Sequence, residues 1–121
     1  MFKINPITKE ISITRGDRAI IEFSIDDYTF QIGDVVRFKV FKSKDCKCVE
    51  LQKDITINKE ETSIEIPLTS EDTKIGDIIN KPAKYWYEIE LNPETSCQTI
   101  IGYDDEGEKL FTLYPEGDVK W

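Results

Sequence analysis

An all-β sandwich is the fold class this sequence predicts, and three observations predict it. Apolar residues recur at every second position in short runs, the period of a half-buried strand. Clusters of Gly, Asp, Asn and Pro separate those runs and read as turns. No segment reads as a long helix, and about seven or eight evenly spaced strands is the pattern a two-sheet sandwich requires.

The elements follow in order. Ile11 and Ile13 alternate with Ser12 and Thr14, and Arg15-Gly16-Asp17 supplies a turn. Ala19, Ile21, Phe23 and Ile25 then share a face opposite Arg18, Glu22 and Ser24, so a first antiparallel pair is expected across that turn. After a turn at Ile32-Gly33-Asp34, Val36, Phe38 and Val40 form the cleanest strand. A turn over Ser43 to Lys47 leads to a looser alternation of Val49, Leu51, Lys53, Ile55 and Ile57, expected to break near Lys53-Asp54. Asn58 to Glu61 reads as a turn, and Ile64, Ile66 and Leu68 as a short strand that Pro67 assigns to an edge or a strand end.

Thr69-Ser70-Glu71-Asp72 resembles a helix start, but Gly76 limits it to a short helix or a 3₁₀ turn. Pro82 introduces Tyr85, Tyr87, Ile89 and Leu91 on one face with Lys84, Trp86, Glu88 and Glu90 opposite, a central strand. Thr99 to Tyr103 and Lys109 to Tyr114 flank Asp104-Asp105-Glu106-Gly107 as a closing hairpin, and the tail from Pro115 to Trp121 leaves the fold extended. The predicted core is Ile21, Phe23, Val36, Phe38, Val40, Ile64, Ile66, Tyr85, Tyr87, Ile89, Phe111 and Leu113. Periodicity leaves strand order open, and a barrel remains an alternative.

Composition narrows the function. A chain of 121 residues is one domain by length. Sixteen basic against twenty-four acidic residues leave a formal charge of -8, whose field repels phosphate backbones and anionic lipid surfaces. Nucleic acid and membrane are therefore not expected as partners. The chain has no histidine, the commonest general base and metal ligand, which argues against an enzyme and against any cofactor or metal. The N-terminus has no apolar run of signal-peptide length and no stretch approaches a membrane span, so synthesis in a cytoplasm is expected. Three cysteines, two of them as close as Cys46 and Cys48, make a poor disulfide framework and suit free thiols.

The run Ile11-Ser12-Ile13-Thr14-Arg15-Gly16-Asp17, the stretch Gly33-Asp34-Val35-Val36-Arg37-Phe38-Lys39-Val40 with Lys42-Ser43, the stretch Ile64 to Thr73, the strand Ala83 to Leu91 and the closing Phe111-Thr112-Leu113 together carry a likeness. In their order and spacing they resemble the immunoglobulin-like domains of bacteriophage tail and baseplate proteins, and are most similar to the N-terminal domain of the baseplate upper protein. The likeness spans roughly residues 10 to 116. It implies an immunoglobulin-like β-sandwich of about seven to eight antiparallel strands filling residues 1–121 as one domain. It implies a non-enzymatic virion or prophage component, made in the bacterial host cytoplasm, whose partners are other phage structural proteins or copies of itself. Such a domain usually opens a longer fibre or receptor-binding protein, whereas here the sequence stops after the last strand, which suits a free-standing accessory protein.

Several motifs invite sharper readings. Arg15-Gly16-Asp17 could serve adhesion, but a tight turn with solvated flanking charges is the simpler account. Cys46, Cys48 and Cys97 offer three thiolates where a structural zinc site needs four ligands and wider spacing. The acidic pairs at Asp26-Asp27, Glu60-Glu61, Glu71-Asp72 and Asp104 to Glu106 fit no calcium-loop spacing and read as solvated turns. Trp86, with Lys84 and Glu88 beside it, is the candidate protein interface, because an outward tryptophan either anchors a partner or lies under a neighbouring loop. A second functional class is a small carbohydrate- or host-surface-binding module, with Tyr28, Tyr103 or Trp86 as stacking platforms.

Overall fold

The computed structural model describes residues 2–25, 27–42, 49–76, 81–95, 97–101 and 109–115. All regular structure among them is strand. In chain order the strands are β1 (Phe2–Ile4), β2 (Ile11–Thr14), β3 (Ala19–Phe23), β4 (Val35–Phe41), β5 (Val49–Thr56), β6 (Ile64–Leu68), β7 (Ala83–Leu91), β8 (Gln98–Ile101) and β9 (Lys109–Tyr114).

Seven strands make one large sheet in the order β1-β2-β9-β7-β4-β5, and β8 pairs with the C-terminal end of β7. The other two, β3 and β6, pair as a separate antiparallel ribbon. One continuous apolar core joins the sheets: Val36, Phe38, Val40, Ile89, Phe111 and Leu113 of the large sheet pack with Ile21, Ile64, Ile66 and Leu68 of the ribbon. Two sheets that bury one face each against a shared core form a β-sandwich.

Alternation explains the burial. In β4 the even-numbered Val36, Phe38 and Val40 are fully buried, while Arg37 and Lys39 face outward. In β7 the buried residues are Tyr87, Ile89 and Leu91, and the register of Phe38 with Ile89 and of Val40 with Tyr87 stacks two inner faces side by side. The predicted core is buried or packed against it throughout, with Phe23 and Tyr85 only partly covered. Phe30, the largest fully buried residue outside that prediction, sits in an irregular segment. There it exchanges backbone bonds with Glu61 and stacks edge-on against Phe23 and Tyr28.

The pairing differs from the sequence expectation at four places. The strands are not all antiparallel: β2 runs parallel to β9, with Ile11 opposite Phe111 and Ile13 opposite Leu113. β2 and β3 do not pair; the chain crosses from one sheet to the other at residues 15–18, so a turn signal there marks a sheet change instead of a hairpin. The strand β8 pairs with β7, not with β9, so no closing hairpin joins them among the described residues. Finally, β5 runs unbroken through Lys53-Asp54, because the Lys53 ammonium on its inner side reaches the Asp72 carboxylate at 2.8 Å. The irregularity falls instead where Val40 and Phe41 meet Leu51 and Val49.

Thr69 to Thr73 forms a single turn, not a helix. The Asp72 carboxylate accepts the Thr69 N–H at 2.9 Å and the Thr69 hydroxyl accepts the Asp72 N–H at 3.1 Å, a reciprocal cap that ends after one turn at Gly76. Gly33 holds φ at 95° in the turn before β4, where the strand-flanking backbone needs the left-handed side. The expected turn over Ser43 to Lys47, the segment Tyr103 to Gly107 and the tail from Glu116 onward lie outside the described residues.

Candidate interaction surfaces

The outer face of the large sheet divides into an ionic half and an apolar half. On the ionic side Arg37 of β4 donates to Asp54 of β5 at 2.9 Å and lies 2.9 Å from Glu94, and Lys39 lies 2.7 Å from Glu90 of β7. Burial works against the charge on Glu90, yet Lys39 and the Cys97 thiol, which donates to it at 3.4 Å, hold its carboxyl below the usual range. Hydrogen bonding to that carboxylate raises the pKa of Cys97. Cys97 is an exposed free thiol, and Cys46 and Cys48 lie outside the described residues.

The apolar half is a row across four strands. Phe41 is the register partner of both Val49 on β5 and Trp86 on β7, and Trp86 is the partner of Leu110 on β9. Phe41 is buried, Trp86 and Leu110 are half-buried and Val49 is 45 % exposed. Trp86 is thus one member of a row aligned by strand register, not an isolated anchor. Lys84, exposed, and Glu88, half-buried, flank it on the same face of β7, so the three candidate interface residues lie together, and Lys39 faces Glu88 across the ladder. Phe41, Val49 and Leu110 belong to this surface but were not legible, because the register that aligns them is set only when β4, β5, β7 and β9 pair.

A second surface is the outer side of the ribbon. Arg18, Ile20 and Glu22 project from β3 and its approach, Glu65 and Pro67 project from β6, and Ile20 with Pro67 forms a shallow apolar groove. A polar groove lies along Thr29 and Lys59 to Ser63.

The remaining conspicuous polar groups hold the fold together. Arg15 is buried, against the expectation of a solvated charge. Its guanidinium donates to the carbonyls of Ile75 at 3.4 Å and Gly76 at 2.8 Å, and the Gly16 N–H donates to the Thr73 hydroxyl at 2.9 Å. The Arg-Gly-Asp turn is therefore stapled to the 69–76 turn. Tyr28 is half-buried, donates its hydroxyl to Asp34 at 2.5 Å and stands edge-on to Phe30. Burial disfavours the Asp34 carboxylate, but bonds from Tyr28, the Gln31 amide and the Asn92 side chain outweigh it and lower the pKa. Asp72 follows the same logic through Lys53 and Thr69. Of the acidic pairs, Asp72 is thus spent on structure, while Asp26 and Asp104 to Glu106 lie outside the described residues. Among the described residues no three metal-ligating side chains converge, and no helix is long and apolar enough to cross a membrane.

No protein-family model matches the chain, and searches of curated proteins and of solved structures return no match.

Proposed function

We propose that this chain is a non-enzymatic structural protein of a bacteriophage or prophage particle, an immunoglobulin-like sandwich that docks tail or baseplate proteins or copies of itself. The immunoglobulin-like assignment is supported by the strand order: β9-β7-β4 lie side by side with β7 central, facing the β3-β6 ribbon, as the G, F and C strands face B and E in that fold. The observation that carries the docking role is the apolar row Val49-Phe41-Trp86-Leu110 on the outer face of the large sheet, bordered by Lys84 and Glu88. Phe41 is already buried, and a partner meeting this row removes the exposed Val49 and the uncovered parts of Trp86 and Leu110 from water, while the bordering charges set the register of contact.

Mass spectrometry of purified particles tests the reading. Peptides of this chain are expected in them at an abundance comparable with other tail proteins; particles that assemble and infect normally without those peptides would overturn it. Val49→Glu, at the exposed end of the row, is expected to lower incorporation about tenfold or more while leaving circular dichroism unchanged.

A further inference from the structure

The ribbon of β3 and β6 has two open edges among the described residues, and they are not equivalent. Pro67 stands opposite Ile20 in the ladder. Proline lacks an N–H and is accommodated in a strand where its nitrogen side faces away from the paired neighbour. Ile20 and Pro67 are then a non-hydrogen-bonded pair, and by alternation the N–H and C=O groups of Ile20 and Glu22 point away from β6. The outer edge of β6 is interrupted at Pro67, whereas the outer edge of β3 keeps an unbroken row of donors and acceptors.

That edge is complementary to itself. Antiparallel pairing about a two-fold axis at Ile20 sets Ile20 against Ile20 of a second copy, Arg18 against its Glu22 and Glu22 against its Arg18. All three side chains are exposed on one face, with Ile20 at 54 %. Within one chain Glu22 lies directly opposite Glu65, an unfavourable pairing of like charges. Arg18 of the second copy would stand on the other side of Glu22 and offset it.

We infer that the chain forms a two-fold dimer by antiparallel addition of β3 to β3 of a second copy. The ribbon becomes a four-stranded sheet in the order β6-β3-β3-β6, and the two Ile20-Pro67 grooves merge into one apolar strip. Backbone hydrogen bonds supply affinity, and the paired charges fix the register. The dimer deepens the structural role proposed above and rests on that reading for its purpose, not for its geometry.

Size-exclusion chromatography with light scattering tests it across a dilution series. The wild-type chain is expected at twice its 14.1 kDa mass. Arg18→Glu or Glu22→Arg alone sets like charges opposite each other at both symmetric positions and is expected to weaken the dimer about tenfold. The double variant Arg18→Glu/Glu22→Arg restores opposite charges and the dimer with them. A monomer at every concentration, or a dimer indifferent to all three variants, overturns the inference. A monomer found in purified particles overturns the dimer and leaves the structural role standing; a dimer absent from normal particles does the reverse.

Discussion

At the scale of single residues, several buried and half-buried polar groups are ties between distant segments. Thr73 is fully buried; its hydroxyl accepts the Gly16 N–H and reaches the Asp17 carbonyl at 2.8 Å. Thr73→Val keeps the shape and removes both bonds together with the longer one to the Ser70 carbonyl at 3.2 Å, so a loss of about 1–3 kcal/mol is expected in urea unfolding, with Thr73→Ser recovering most of it. Tyr87 is similar: its hydroxyl donates to the Lys9 carbonyl and pins the loop between β1 and β2, and burial raises its pKa. Arg15, Thr73 and Tyr87 were each visible as residue types, but nothing local reveals a partner about sixty or eighty positions away. Asn92 is a further case. In left-handed backbone at φ 50°, its side-chain oxygen accepts the Val35 N–H at 2.8 Å and its amide donates to Asp34 at 3.1 Å, lengthening the β4–β7 ladder by one rung.

At the scale of elements, the inner faces of strands and several of their bounds were legible and their neighbours were not. Residues 36 to 40 and 85 to 91 announce their inner faces by alternation alone, because a strand between two neighbours has one dry side and one wet side. In the sequence β5 reads as interrupted at Lys53, since a lysine on an inner position looks like a break until Asp72 arrives from the turn after β6. The turn before β4 depends on Gly33, whose φ of 95° no L-residue adopts comfortably and whose Cβ position is otherwise open space. Gly33→Ala is therefore expected to cost about 1–2 kcal/mol through backbone strain alone, seen as a lower Tm with an unchanged strand spectrum. The candidate interface followed the same rule. Trp86, Lys84 and Glu88 sit on one face because they belong to one strand, whereas Phe41, Val49 and Leu110 join them only through the register between strands.

At the scale of the whole molecule, the acidic balance meets the folded structure through Asp34, Asp72 and Glu90, whose pKa values are all lowered. A carboxyl that is more acidic folded than unfolded contributes stability above its unfolded pKa, and that contribution disappears as pH falls through the folded value. Thermal stability is thus expected to hold from neutral pH down to about pH 4 and to fall below it. Asp34→Asn should flatten part of that acid limb in melts recorded between about pH 2 and pH 6; an unchanged limb would show that Asp34 contributes nothing to it.

The sequence alone determined that the chain is built of strands, which side chains those strands turn inward and where most turns fall, because each follows from a two-residue period and from the local demands of Gly, Pro and Asp. Only the tertiary structure decided that β2 runs beside β9, that β3 leaves the large sheet to pair with β6, and that four strands align one apolar row. Those choices depend on which distant strand supplies the missing hydrogen bonds. The period of a strand states which face is dry and is silent about its neighbour.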